Sequence, residues 1–144
     1  MGARREAREL ALQALYQLDV TGEDDSERGL ALFWTHFDAD PEVRSFAREL
    51  VDGVREHRER IDALIAASAE HWRLPRLSRV DLNLLRLATF ELLARRDIPA
   101  SVAINEAIEI ARRFGSDDSA AFVNGVLDHI AGVLGVKEGA GGTR

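Results

Sequence analysis

The chain has 144 residues, 46% hydrophobic and 31% charged, with a net charge of -6, a balance that excludes a disordered or collagen-like chain and fits one globular domain. It contains no cysteine, which excludes disulfides, thiol catalysis and cysteine-bound zinc. No apolar run is long enough to span a bilayer, and MGARREAREL lacks the apolar stretch of a signal peptide, so a cytoplasmic location is expected.

Every periodic stretch has helical spacing, and no alternating run bounded by turns reads as a strand. The first helix is predicted from about Ala3 to Val20, with the apolar stripe Ala7, Leu10, Ala11, Ala14, Leu15 and Leu18. Thr21-Gly22 ends it. Asp24-Asp25-Ser26 reads as the cap of a short helix carrying Leu30, Phe33 and Phe37. Asp38-Ala39-Asp40-Pro41 is a loop and a weak joint, with Pro41 suited to the first position of the next helix. Val43, Phe46, Ala47, Leu50 and Val54 make that third helix. The beat falters over His57-Arg58-Glu59-Arg60 and resumes at Ile61, Leu64 and Ile65. A break is expected there, then a fourth helix to about Glu70. Trp72 and Leu74-Pro75 follow as loop.

Ser78-x-x-Asp81 resembles a capping box in which the shorter Asp replaces Glu. It opens the most apolar segment, Leu82 to Leu93, whose leucines go round nearly the whole wheel and mark a central, buried helix. After the break Asp97-Ile98-Pro99, Ser101 is expected to cap VAINEAIEIARRFG. Its glutamates come early, Arg112 and Arg113 come late, and Gly115 closes it, in line with the helix dipole and the C-terminal glycine rule. Ser116-Asp117-Asp118-Ser119 is expected to cap a final helix. The tail KEGAGGTR reads as disordered. The expectation is an all-α chain of about seven helices. It forms one domain over 1–144, with subdomains of about 1–38 and 41–135 and a flexible tail over 136–144.

Catalysis finds no support in this pattern. His36, His57, His71 and His129 lie far apart without metal-ligand spacing, and no glycine-rich loop joins a strand to a helix. Asn105-Glu106 and Asp117-Asp118 are better explained as helix-end residues. No enzyme, metal or cofactor is therefore expected. The acidic total requires any nucleic-acid binding to use a local patch. Of the 19 lysines and arginines, only Lys137 is a lysine, and arginine forks suit phosphate and stack on bases.

Two segments invite contact. On the first helix Arg5, Arg8, Leu12 and Tyr16 share a flank outside the apolar stripe, with Arg4 between that flank and the core face. Either the flank is a contact surface, with arginines on phosphate and Tyr16 on a base or a partner, or Tyr16 covers an internal neighbour and the arginines are solvated. The second segment is FVNGVLDHI. Phe122, Val126, Ile130 and Val133 form a stripe that Val123, Leu127 and Leu134 widen. Asn124, Gly125 and Asp128 lie opposite it. A glycine in an exposed helix costs about 1 kcal/mol relative to alanine, which suggests close approach by another helix or by a ligand.

RREARELALQALYQLD, VDLNLLRLATFELL and IPASVAINEAIEIARRFGSDDSAAFVNGVLDHI together resemble the NusB family of bacterial transcription antitermination factors over nearly the whole chain. VAINEAIEIA and FVNGVLD, in that order and separation, are the most specific parts. The resemblance implies an N-terminal bundle of three helices packed on a C-terminal bundle of four. It implies pairing with NusE, the ribosomal protein S-ten, to bind single-stranded boxA RNA, within an RNA polymerase complex that resists termination and supports ribosomal RNA synthesis. Carried over by position, Arg4, Arg5 and Arg8 correspond to the arginine-rich RNA-binding motif. Asp118, Ser119 and Phe122, with Asn124 close by, match the other part of the RNA surface. Tyr16, Asp81 and Arg86 correspond to the region of NusE contact and complex integrity.

The chain departs from that pattern in places. Only Met1-Gly2-Ala3 precedes Arg4 where relatives carry more basic residues. Ala120 and Ala121 stand where a basic residue often follows the Ser. Weak binding to RNA alone is expected, with NusE supplying positive charge to an acidic partner. Two other readings stand beside this one: a homodimeric helical scaffold, and the RNA-binding module of ribosomal RNA methyltransferases. The second usually continues into a glycine-rich catalytic domain with cysteines.

Overall fold

In the computed structural model, which describes residues 2–22, 27–69 and 77–137, the apolar periodicities become seven helices. They are α1 (Ala3–Thr21), α2 (Glu27–His36), α3 (Pro41–Glu56), α4 (Arg58–Ser68), α5 (Arg79–Ala94), α6 (Ala100–Phe114) and α7 (Ser119–Leu134). No strand occurs among the described residues. The expected cap at Asp24–Ser26, the segment with Trp72 and Leu74-Pro75, and the tail beyond Lys137 lie outside them.

Local chemistry sets most boundaries. Gly22 ends α1 in the left-handed region, at φ 77°, where an L side chain would be strained. Pro41 starts α3. The faltering beat at His57 is a one-residue junction between α3 and α4, and the ring Nδ1–H of His57 donates to the Gly53 carbonyl at 3.0 Å. Arg44 closes the end of α2 by donating to the carbonyls of Trp34, at 2.8 Å, and of Phe37.

α5 is the hub. Every residue from Leu82 to Leu92 is buried, and the helix packs on α1, α3, α4, α6 and α7. α1 packs on α2 and α3, and α6 packs on α7. The three N-terminal helices thus rest on the four C-terminal ones through α5. A helix apolar all round requires neighbours all round.

Three capping expectations need correction. Ser101 lies inside the first turn of α6 and is not its cap. The helix starts after Pro99, whose carbonyl accepts from Val102 and Ala103 at 3.0 and 3.1 Å. Pro99 presets the entry angle and leaves no side-chain cap. Gly115 is extended, at φ -95° and ψ -167°, so the left-handed C-terminal rule does not explain it. The reason is space: a Cβ there would lie 2.6 Å from the Ser119 Cβ. Nor does the side chain of Asp118 cap α7. Instead the buried Ser119 hydroxyl accepts from the Ser116 N–H at 2.9 Å and pins the turn.

α7 runs through Asn124-Gly125 without interruption. Val123, Val126, Leu127 and Ile130 are buried, and Phe122 and Leu134 pack at the core's edge. Val133, expected on the stripe, is 59% exposed, while Ile130, Ala131 and Leu134 around it pack on the core, so it lies outside the buried face. The expectation of close packing against Gly125 by another helix fails: a Cβ built there meets nothing within 4 Å. Gly125→Ala is therefore expected to stabilise the fold by about 0.4–1 kcal/mol, through helix propensity and a less free unfolded chain. Urea unfolding checks this; a destabilised variant would mean that the open surface is closed in solution.

Candidate functional site

The N-terminal turns of α1 carry three arginines in three different environments. Arg4 is exposed, its guanidinium 4.4 Å from the centroid of the Phe46 ring. Arg5 donates through Nε and Nη2 to both carboxylate oxygens of Glu106, at 2.7 and 2.8 Å. Arg8 makes the same fork on Glu91, at 2.9 and 2.8 Å, and is 3% exposed. A second carboxylate, Glu106, lies 3.8 Å from Arg8 Nη1. A cleft of about 370 Å³ opens beside them, lined by Gly2, Arg4, Arg5, Arg8, Asp97, Ile98, Pro99, Val102 and Glu106.

The flank read from the helical wheel is therefore only half a surface. Arg8 and Leu12 are buried while Tyr16 is 41% exposed. Glu91 on α5 draws Arg8 inward, so Arg8 is neither solvated nor open to a ligand. A signal for this was present in the sequence. Glu91 sits in a stretch that is otherwise almost wholly apolar, and a buried carboxylate needs a cation close by.

The charges around the cleft are fixed. Hydrogen bonds from Arg5 hold the Glu106 carboxyl below its ordinary range against the opposing effect of burial, and Glu106 in turn raises Arg5. Asp97 is pushed down to about 2, chiefly by the Arg95 fork at 2.9 and 2.8 Å. Both carboxylates stay ionised at neutral pH.

Further along α1, Leu12, Gln13, Tyr16 and Gln17 join Phe33, Phe37, Val80 and Phe114 around a groove of about 320 Å³. Phe37 and Phe114, at 36% and 39% exposed, extend the uncovered aromatic surface beside Tyr16. Clustered exposed aromatics of this kind mark contact surfaces.

Of the residues grouped with Tyr16, Arg86 is buried and faces inward. It donates to Asp62 at 2.8 and 3.0 Å and to the Asn83 side-chain oxygen at 3.3 Å, with Asp19 at 3.9 Å. It ties α5 to α4 and to the end of α1. Burial of Asp19 raises its carboxyl, but hydrogen bonds from Asn83 and Arg79 outweigh this and hold it below the usual range. The Asp81 N–H donates to the Ser78 hydroxyl at 3.0 Å, as a capping box requires. Its buried Oδ1 has no hydrogen-bond partner among the described residues, so that oxygen does not complete the reciprocal half. At the start of α7, Asp118 and Asn124 are exposed, Phe122 is partly buried and Ser119 is buried. None of these four lines the arginine cleft; they follow the far end of α6.

Among the described residues no cluster of His, Asp or Glu is placed to hold a metal, and no helix is long and apolar enough to cross a membrane. An all-helical body with an arginine-lined cleft and an aromatic groove along one helix defines a protein built for macromolecular contact. The NusB family model matches residues 5–132, and the chain belongs to the NusB family. It is 51% identical over 138 residues to the transcription antitermination protein NusB of Myxococcus xanthus, covering 93% of this chain and 98% of that one. The crystal form of T. maritima NusB superposes with a TM-score of 0.80 at 44% identity, over 90% of each chain. A chain in the structure of antitermination factors NusB and NusE in complex with dsRNA gives 0.78 at 27% identity, over 92% of this chain and 98% of that one.

Proposed function

We propose that this chain is an RNA-binding transcription antitermination factor that pairs with NusE to bind boxA RNA in the cytoplasm, as part of the RNA polymerase complex, and that it is not an enzyme. The observation that supports this reading best is the layout of α1. Its first turns present Arg4 and Arg5 to an arginine-lined cleft, and its later turns present Tyr16 to an aromatic groove. One helix thus offers phosphate contacts at one end and a protein contact at the other. In this reading Arg4 and Arg5 meet phosphates, and Asp118 and Asn124 border the RNA at the α7 end. Phe122 stacks or packs at that border. Tyr16 anchors NusE. Arg8, Ser119 and Arg86 are positioning residues because their side chains are engaged inside the fold, and Asp81 is one because its backbone N–H meets the Ser78 cap and a carboxylate oxygen is buried. The acidic total of -6 suits a basic ribosomal partner.

A fluorescence titration tests the reading. A short boxA-like RNA, its scrambled version and its duplex form are each added to the protein, with and without NusE, at two salt concentrations. Preferential, salt-sensitive binding of the boxA-like strand that tightens with NusE is expected. Arg5→Ala should weaken it and reduce the salt slope by about 0.7, one phosphate contact on a single strand. Tyr16→Ala should remove the NusE enhancement and leave binding by the protein alone unchanged. Tighter binding of the duplex would reassign the strandedness. No discrimination with or without NusE, together with a dimer indifferent to both, would replace the reading with that of a homodimeric scaffold.

A further inference from the structure

The three arginines of α1 differ in what a phosphate would have to displace. Arg8 is out of reach: its side chain is 4% exposed and its fork is filled by Glu91, itself 1% exposed. Pulling Arg8 away would strand a buried carboxylate. Arg5 is accessible, at 30% exposure, but both of its fork donors are on Glu106, which is 21% exposed in the same cleft. Carboxylate and phosphate use the same planar fork, so Glu106 fills the geometry that a phosphate needs. Its negative charge also repels an incoming phosphate.

We propose that Glu106 is an internal competitor for RNA, holding the Arg5 fork in the free protein and yielding it when a phosphate binds; this rests on the RNA reading above. The exchange leaves no charge stranded. Glu106 Oε1 already lies 3.8 Å from Arg8 Nη1, so the released carboxylate keeps a cation beside it. Arg5 moves from one anion to another. The competitor sets a threshold: only a strand that offers phosphate together with further contacts, from its bases or from NusE, opens the pair. Selectivity is thereby gained at the expense of affinity.

The test uses the full chain with NusE and the boxA-like strand. Glu106→Gln keeps the size and an oxygen acceptor but removes the charge. It should tighten RNA binding roughly three- to tenfold and steepen the salt dependence. The gain should vanish in an Arg5→Ala background, and Glu106→Asp, which keeps the charge, should show none. A merely structural pair would give the opposite sign, since a loosened fold binds more weakly. A Glu106→Gln protein that binds no tighter, or a gain that survives Arg5→Ala, overturns the proposal.

A measurement without variants stands beside it. In arginine side-chain NMR spectra of the wild-type complex, the Arg5 Nε–H resonance should shift on adding RNA while that of Arg8 stays in place. An unmoved Arg5 at saturating RNA also overturns the proposal. If the wild-type chain discriminates boxA-like RNA but Glu106→Gln is no tighter, only the competitor fails. If neither protein binds RNA with or without NusE, the RNA reading fails and the competitor with it.

Discussion

Glu91→Ala should destabilise the protein by about 3–5 kcal/mol, because it leaves a buried arginine without its counter-charge. Arg8 and Glu91 are 3% and 1% exposed and joined by two hydrogen bonds at 2.9 and 2.8 Å. The remaining anion and ring near Arg8 do not replace the lost carboxylate. Phe46 lies 5.6 Å from the guanidinium, and Glu106 at 3.8 Å is shared with Arg5. A fall in melting temperature on the order of 10 °C follows for a chain of this size. The double variant Arg8→Met with Glu91→Leu should recover most of the loss, since two apolar groups need no pairing. A Glu91→Ala protein within about 1 kcal/mol of wild type would show that water reaches the pair. The same pair links α1 to the hub, so weaker RNA binding by an Arg8 variant has to be corrected for unfolding before it is read as a lost contact.

Gly53→Ala should be the second large effect, about 2 kcal/mol of destabilisation or more from overpacking. A Cβ at Gly53 would lie 2.7 Å from Phe90 Cε2 and closer still to Cζ and Cε1. Phe90 is buried on the hub helix and cannot swing into solvent. Better helix propensity returns at most about 1 kcal/mol. The His57 ring, 5.8 Å from that of Phe90, sits at the α3–α4 junction, so displacement of Phe90 is felt there as well. In a Phe90→Leu background the cost of Gly53→Ala should shrink, because the smaller side chain leaves room. An unchanged melting temperature for Gly53→Ala alone would contradict the contact. The comparison with Gly125→Ala, expected to stabilise, is direct: the same substitution in a helix takes opposite signs according to whether a neighbour is present.

Much of the fold was legible because the relevant physics is local. The spacing of Ala7, Leu10, Ala11, Ala14, Leu15 and Leu18 names a buried face wherever the helix ends up, and all six are buried. Pro41, Gly22 and Ser78 act on their own backbone, and each does what its chemistry predicts. The hub was legible for the same reason: leucines on every face of one segment demand burial on every side. Ser101 misled because serine is a good cap in general, whereas Pro99 two residues earlier had already fixed the start.

The candidate site was less legible. Residue type and position picked out α1 and its arginines but not their states. Whether an arginine is a free fork, a contested one or a buried one depends on which carboxylate faces it, and Glu91 and Glu106 come from the other half of the chain. The Asn-Gly pair draws attention to Gly125, where a Cβ would meet nothing, while no local signal marks Gly53, against which Phe90 lies. By itself the sequence determined the helices, their buried faces and the helix on which contact chemistry is concentrated. These follow from interactions among residues three or four apart and from the bias of side chains on their own backbone. Only the tertiary structure decided which arginine is available, which glycine is indispensable and where the aromatic surface stays uncovered. Each of those depends on a group distant in sequence, brought into contact by the packing of α1, α3 and α6 on α5.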